Sequence, residues 1–342
     1  MLKNKYANIL SQVNNNQRGV SDSILIVDGL NTFLRAFTMI NHINPEGHHI
    51  GGLTGFLKSV GYAIKMIDPT KVILVFDGVG GSNNKRNLYP DYKANRNKNR
   101  MTNYSIFSNK DEETESINNQ MARLIQYLQC LPVSMICIDG IEADDTIGYL
   151  VGKFEKFDAT KEVTIMSADK DFLQLVSDKV RVYSPVKKKI YKPKDVIDEL
   201  GVSSYNYINY KILMGDASDN LPGIDGLGPK KTLKMFPELA SDTPTTLNEM
   251  LEKCAGKVNE HELYGRIIER KHQLEINSKL MNLQTIPLSD GNIEQIQASF
   301  KAPYELNSHM FMQMYTVDHL GESIPNTSNW LNQVFGPLNS FK

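Results

Sequence analysis

Residues 23–29 read SILIVDG and residues 71–78 read KVILVFDG. Each is a short apolar run, rich in branched side chains, that stops at Asp-Gly. This is the pattern of a buried strand closed by a turn. PVSMICIDG (132–140) and KEVTIMSAD (161–169) repeat it, and stretches with helical spacing lie between at 53–67, 117–129 and 143–154. Strands alternating with helices predict an α/β fold, a parallel sheet covered on both faces. In such sheets ligands bind beyond the carboxyl ends of the strands. Asp28, Asp77, Asp139 and Asp169 all fall at those ends. One such aspartate is ordinarily a turn former or helix cap. Several on one edge point to a shared site.

The chain of 342 residues is 41% hydrophobic and 23% charged, enough to bury a core in one large domain or two modest ones. No apolar run approaches the length of a membrane helix, and the first residues lack the apolar stretch of a signal peptide. A cytoplasmic location and no membrane association are expected. Cys130, Cys137 and Cys254 show no metal-ligand spacing and suit a reducing compartment. The net charge of -1 hides local bias: 85–100 holds six basic residues against one acid, and 185–194 holds five lysines. Such stripes suit a polyanion, although a single run is also ordinary solvated surface.

No internal repeat is present. The texture changes after Lys194 to helical patterns broken by Gly/Pro turns. The expected organisation is an N-terminal extension (1–20), an α/β domain (21–200), a mainly helical domain (201–300) and a weakly structured tail (301–342). Residues 79–116 are polar, end in the acidic run KDEETES, and read as a mobile insertion. Residues 258–283 read as one long amphipathic helix.

IEADDTI (141–147) puts three carboxylates in four positions, Glu142, Asp144 and Asp145, where a helix enters a core. Two carboxylates about 4 Å apart repel by roughly 4 kcal/mol at an effective dielectric near 20. Without a cation some would hold protons instead, and a divalent ion reverses that logic. SADKDFLQLV (167–176) adds Asp169 and Asp171, and GDASDN (215–220) adds Asp216 and Asp219. With Asp28 and Asp77 this makes nine carboxylates. Oxygen-only ligands select Mg²⁺ or Mn²⁺, and the number suits two ions, which together can activate a water and stabilise the leaving oxygen of a phosphodiester.

GIDGLGPKKTL (223–233) supplies Gly226 and Gly228 for a tight turn, Pro229 for a helix start, then Lys230 and Lys231. Exposed amides followed by lysines make a phosphate site, or simply a link between two helices. KRNLYPDYKANR (85–96) interleaves Tyr89 and Tyr92 with Lys85, Arg86, Lys93 and Arg96. Rings among cations suit single-stranded nucleic acid.

These motifs together resemble the structure-specific 5′ nucleases: flap endonucleases, the 5′-nuclease domain of bacterial DNA polymerase I, and T-even phage RNase H enzymes. The matching stretches are VDGLNTFLRAF (27–37), VFDG (75–78), YPDYKANR (89–96), IEADDTIG (141–148), SADKDFLQL (167–175) and GDASDNLPGIDGLGPKKT (215–232), in the family's order. The phage branch fits best on length. The resemblance implies a PIN-like parallel-sheet nuclease domain with a flexible helical arch at about 80–120, followed by a helix-three-turn-helix. It assigns Asp28, Asp77, Glu142 and Asp144 to a first metal ion, and Asp145, Asp169, Asp171, Asp216 and Asp219 to a second, with Asp144 and Asp169 between the two. It assigns Lys93 and Arg96 to the scissile phosphate, Tyr92 to base stacking, and Arg35 and Arg86 to nucleic-acid contact. Gly226, Gly228, Lys230 and Lys231 would grip the duplex backbone, with a monovalent cation such as K⁺ bound at the turn. Ala168 stands where the family has glycine, and about twenty residues precede the core.

The implied function is two-metal hydrolysis near 5′ ends of DNA flaps, nicks and RNA primers, serving primer removal in phage DNA replication in the host cytoplasm. A monomer is expected, with single-stranded-DNA-binding protein and a sliding clamp as protein partners. NWLNQVFGPL (329–338) reads either as a docking segment or as a packing strap. A haloacid-dehalogenase-type phosphatase needs a second Asp two residues after the first, and Leu30 stands there. A catalytically weak nucleic-acid-binding scaffold of the same fold is the remaining rival.

Overall fold

The computed structural model describes residues 22–96, 101–157, 161–301 and 304–340. The expected N-terminal extension (1–20) lies outside the described residues, as do 97–100 of the expected arch. The chain runs β1 (Ser23–Asp28), α1 (Gly29–Met39), α2 (Gly51–Ile67), β2 (Lys71–Asp77), α3 (Asn83–Leu88), α4 (Lys110–Leu128), β3 (Ser134–Ile138), α5 (Ala143–Phe157) and β4 (Glu162–Met166). A 3₁₀ turn (Lys170–Leu175) leads to β5 (Val180–Ser184) and β6 (Lys189–Tyr191). The strands pair in the order β3-β2-β1-β4-β5-β6, all parallel except β6.

β1 lies between β2 and β4 and is buried along its whole length. Its side chains alternate between two cores as the strand period requires. Leu25 and Val27 join Phe33, Phe37 and Phe56 under α1 and α2. Ile24 and Ile26 join Ile147, Leu150 and Phe172 under α5 and the 3₁₀ turn. Strand order reverses at β1, since the chain leaves one side of it for β2 and β3 and returns on the other for β4. Such a switch point opens a crevice at the carboxyl edge, and Asp28 sits in it.

A helical unit follows: α6 (Pro193–Leu200), α7 (Tyr207–Met214), the short hairpin β7 (Gly215–Asp216) and β8 (Leu221–Pro222), α8 (Pro229–Met235), α9 (Leu247–Ala255), α10 (Glu262–Glu269) and α11 (Lys271–Met281). It has its own core around Ile212, Phe236, Ile267 and Leu274. Then come α12 (Asp290–Lys301), α13 (Ser308–Val317) and α14 (Thr327–Phe335). Among the described residues no helix is long and apolar enough to cross a membrane.

Four segments differ from expectation. The acidic run 110–116 opens α4 rather than belonging to a mobile insertion. Its Asp111, Glu112 and Glu113 occupy the first turn, where the helix dipole favours negative charge. Residues 258–283 form two helices, because Arg270 leaves helical geometry and lets Leu263 and Leu274 enter the core from different axes. The lysine stripe 185–194 is mostly a β-hairpin turn whose cations are matched by α6: Lys187 pairs with Glu199, and Lys194 with Asp198 at 2.6 Å.

The described part of the tail, 304–340, is largely helical. Phe311, Leu331 and Phe335 are fully buried in the α1/α2 core, each worth about 1.5–3 kcal/mol relative to exposure. Asp318 latches it to α4 through Arg123 (2.7 and 2.8 Å) and the Tyr127 hydroxyl (2.7 Å). The apolar residues of 329–338 are thereby spent as a strap on the protein's own core, which excludes their use in docking a partner from this conformation.

Candidate active site

The site begins with caps. Asp28 ends β1 and accepts the Asn31 N–H of α1 at 3.3 Å and the Ser167 hydroxyl at 2.9 Å. Asp77 ends β2 and accepts the Ala143 N–H at 2.9 Å, which fixes the start of α5 and so aims Asp144 and Asp145 at the sheet edge. Asp169 caps the 3₁₀ turn by accepting the Asp171 N–H at 2.8 Å. Gly215, at φ 71°, has no room for a side chain: a Cβ would lie 2.3 Å from the Gly223 nitrogen. Only glycine permits this close hairpin, and the hairpin delivers Asp216 and Asp219. Asp139 stands apart, accepting the Val79 N–H at 3.0 Å in a turn.

All nine carboxylates meet in one electrostatic neighbourhood. Asp28 feels Asp77 and Asp169; Asp77 feels Glu142 and Asp144; Asp169 feels Asp144 and Asp219; and Asp171 feels Asp216. Asp145 feels Asp144 and Glu142. Burial and then these like charges push Asp28, Asp145 and Asp171 up to about 7. Burial likewise raises Asp77 and Asp169. Such a set holds protons or cations. Glu142, Asp144 and Asp145 can each offer one oxygen within 4.8 Å of the others. An all-oxygen set of that span fits a hard divalent cation.

The chain supplies its own cations. Lys85 on α3 lies 2.8 Å from Glu142, 3.0 Å from Asp145 and 3.5 Å from Asp144. Lys93 donates to Glu142 at 2.5 Å from a left-handed backbone (φ 57°), an uncommon conformation for a side-chain-bearing residue. Burial opposes ionisation of Glu142, yet the two ammonium groups outweigh it and hold its carboxyl well below the usual range. On the other side, Lys211 bridges Asp171 and Asp216. There the lysine and Ser218 overcome burial and lower Asp216 to about 2. Arg96 pairs with Asp219 at 2.7 Å.

Tyr92 departs from its expected role. Its ring is buried in the core of the helical unit, which includes Val202 and Ile212, and its hydroxyl donates to Glu142 (3.0 Å) or Asp219 (3.2 Å). A ring so packed has no free face for a base, so in this conformation it ties the two halves of the molecule together. Arg35 is also not drawn in. It sits half-buried on α1, seven residues or about 10 Å of helix rise from Asp28, and burial lowers its pKa. Arg86 donates to the Tyr92 carbonyl at 3.4 Å. Gly226 adopts φ 81°, Lys230 is exposed, and Lys231 donates to the Gly226 carbonyl at 3.0 Å. The sequence reading missed Ser82, Ser167 and Lys211, and knew Lys85 only as part of a stripe. Ser167 opens the SAD motif without being singled out there; Ser82, Lys85 and Lys211 lie outside the acidic motifs, and only the fold brings them to one.

The chain matches the family model described as 5′-3′ exonuclease, N-terminal resolvase-like domain, over residues 23–201. It matches the one described as 5′-3′ exonuclease, C-terminal SAM fold, over 202–302. A 5′-3′ exonuclease of Bacillus subtilis is 30% identical over 279 residues, which span 79% of this chain and 86% of the relative. A thermostable DNA polymerase I of Thermus filiformis is 30% identical over 266 residues, 78% of this chain but 29% of that protein. Among solved structures, the bacteriophage T5 flap endonuclease in complex with DNA and metal ions has a TM-score of 0.62 at 18% identity, covering 88% of this chain and 99% of that one. T5 5′-exonuclease with bound zinc scores 0.62 at 20% identity, covering 87% and 98%. The fold is thus the expected one: a parallel-sheet, PIN-like nuclease domain followed by a helical domain.

Proposed function

Because the chain belongs to the 5′-3′ exonuclease family, we propose that it hydrolyses phosphodiesters near the 5′ ends of DNA flaps, nicks and RNA primers with two divalent cations, Mg²⁺ or Mn²⁺. The observation that carries this is the convergence of nine carboxylates from β1, β2, α5, the 3₁₀ turn and the β7–β8 hairpin on one sheet edge. Burial makes their charge costly alone and favourable beside cations.

Glu142, Asp144 and Asp145 would hold one ion, with Asp28 and Asp77 behind them orienting α1 and α5. Asp169, Asp171, Asp216 and Asp219 would hold the other. When bound, the ions supply a polarised water nucleophile and neutralise charge on the leaving 3′ oxygen. Lys93 and Arg96, now paired with Glu142 and Asp219, would turn to the phosphate and stabilise the charge that develops there. The turn at Gly226–Gly228 with Lys230 and Lys231 would hold duplex backbone, setting position without reading sequence, and would take a monovalent cation such as K⁺. The role we assign is primer removal during phage DNA replication, alongside single-stranded-DNA-binding protein and a sliding clamp. The test is cleavage of 5′-labelled flap and RNA-primer substrates with Mg²⁺. Short 5′-labelled products that vanish with EDTA support the reading. Binding without cleavage at any metal concentration favours the scaffold.

A further inference from the structure

Glu142 is surrounded by donors. Its Oε1 takes the Ser82 hydroxyl (2.5 Å) and Lys93 (2.5 Å), and its Oε2 takes Lys85 (2.8 Å) and the Tyr92 hydroxyl (3.0 Å). A carboxylate offers about four lone-pair sites; Ser82, Lys85 and Lys93 use three, and the Tyr92 hydroxyl divides its one hydrogen between the fourth and Asp219. A cation shared with Asp144 and Asp145 must enter among these donors. Of the four, only Lys85 also touches Asp144 and Asp145. Its ammonium therefore sits where a cation shared by the three carboxylates would sit.

We propose that Lys85 is the resident counter-ion of the Glu142–Asp144–Asp145 cluster, and that a divalent cation binds there by displacing the Lys85 ammonium. The displaced side chain has somewhere to go. A cavity of about 660 Å³, lined by Lys85 itself, Asn84, Leu88, Gly140 and Asn282, opens beside it. Because Lys85 anchors α3, its release loosens α3 at the moment the site gains its metal. The metal-free protein thus keeps that helix docked and the carboxylates neutralised. Lys85 is a positioning residue here, acting on the ligands rather than on substrate.

This rests on the proposed cation site, and calcium titration separates the two claims. A lysine holding the ligands in nine molecules of ten weakens apparent affinity about tenfold. In calorimetry with Ca²⁺, Lys85→Met should therefore bind on the order of tenfold more tightly than wild type. Its melting temperature in EDTA should fall, since the carboxylates lose their counter-ion. Lys85→Arg, keeping the charge, should retain wild-type affinity. Equal or weaker binding by folded Lys85→Met, with wild-type cleavage intact, overturns the lysine's role and leaves the nuclease reading standing. A wild type that binds no Ca²⁺ and cuts no flap overturns both. Should Lys85→Met not fold without metal, acetylation of the wild-type protein decides: Lys85 should be protected in EDTA and reactive in saturating Ca²⁺, and unchanged reactivity refutes the displacement.

Discussion

Two buried glutamates hold the two halves of the segment between β2 and β3, and they do so in the same way. Glu113, at the start of α4, accepts the Thr102 N–H and hydroxyl (both 2.8 Å), the Asn103 N–H (2.7 Å) and Lys110 (2.7 Å). Glu142 accepts Ser82, Lys85, Tyr92 and Lys93. Both lie within reach of four donors, and both are held more acidic than usual against burial, Glu113 at about 2. What differs is the company. Glu113's partners are two backbone amides, a hydroxyl and one ammonium, a closed set with nothing to exchange. Glu142 stands beside Asp77, Asp144 and Asp145, so its ammonium partners neutralise a shared charge that another cation could take over. The same four-donor surround is structural at one end and exchangeable at the other.

That contrast can be broken most severely at the acids. Asp144→Asn or Asp169→Asn should lower flap cleavage by at least about a thousandfold while DNA binding stays measurable by anisotropy. Glu113→Ala should leave cleavage per folded molecule unchanged but cost about 2–3 kcal/mol in urea unfolding, because its donors are left unpaired. The loss should be equal in EDTA and in Mg²⁺; a metal-dependent loss would erase the distinction.

The pH profile sharpens it. Asp28, Asp145 and Asp171, raised to about 7, bind protons more tightly folded than unfolded, where the usual value is about 4. Metal-free stability should therefore fall as pH rises from about 5 to 8. The depressed groups Glu113 and Asp216, at about 2, matter only on acidification, where their contribution is lost below about pH 4. Melting curves in EDTA should show that decline, and Mg²⁺ should raise the midpoint more at pH 8 than at pH 5. The smallest effect is expected at the tail: Asp318→Ala should cost about 1–2 kcal/mol through lost charge-assisted hydrogen bonds to Arg123 and Tyr127, with cleavage retained.

The strands, their terminal aspartates and the acidic motifs were legible because each is written in a few adjacent residues. The apolar run and its Asp-Gly stop sit together at 23–29 and 71–78. Tyr92 was misread for the same reason. KRNLYPDYKANR shows a ring among cations, but whether that ring meets a base or a core depends on Val202 and Ile212, over a hundred residues away. The KDEETES run looked solvated because Glu113 cannot be distinguished from its neighbours until Thr102 folds back onto it. The tail looked weak because the partners of its apolar residues, on α1, α2 and α4, lie far back in the chain. Lys211 carries no motif and Lys85 opens one read for nucleic acid, so their pairing with the carboxylates is wholly tertiary.

The central claim is that the clustered carboxylates are a cation site for two ions, guarded by the protein's own lysines. An anomalous-difference map from crystals grown with Mn²⁺ tests it directly. The account predicts one peak among Glu142, Asp144 and Asp145 with the Lys85 ammonium moved away, and a second near Asp171, Asp216 and Asp219. A map with no peak at either place, Lys85 and Lys211 still seated on their carboxylates, would contradict it.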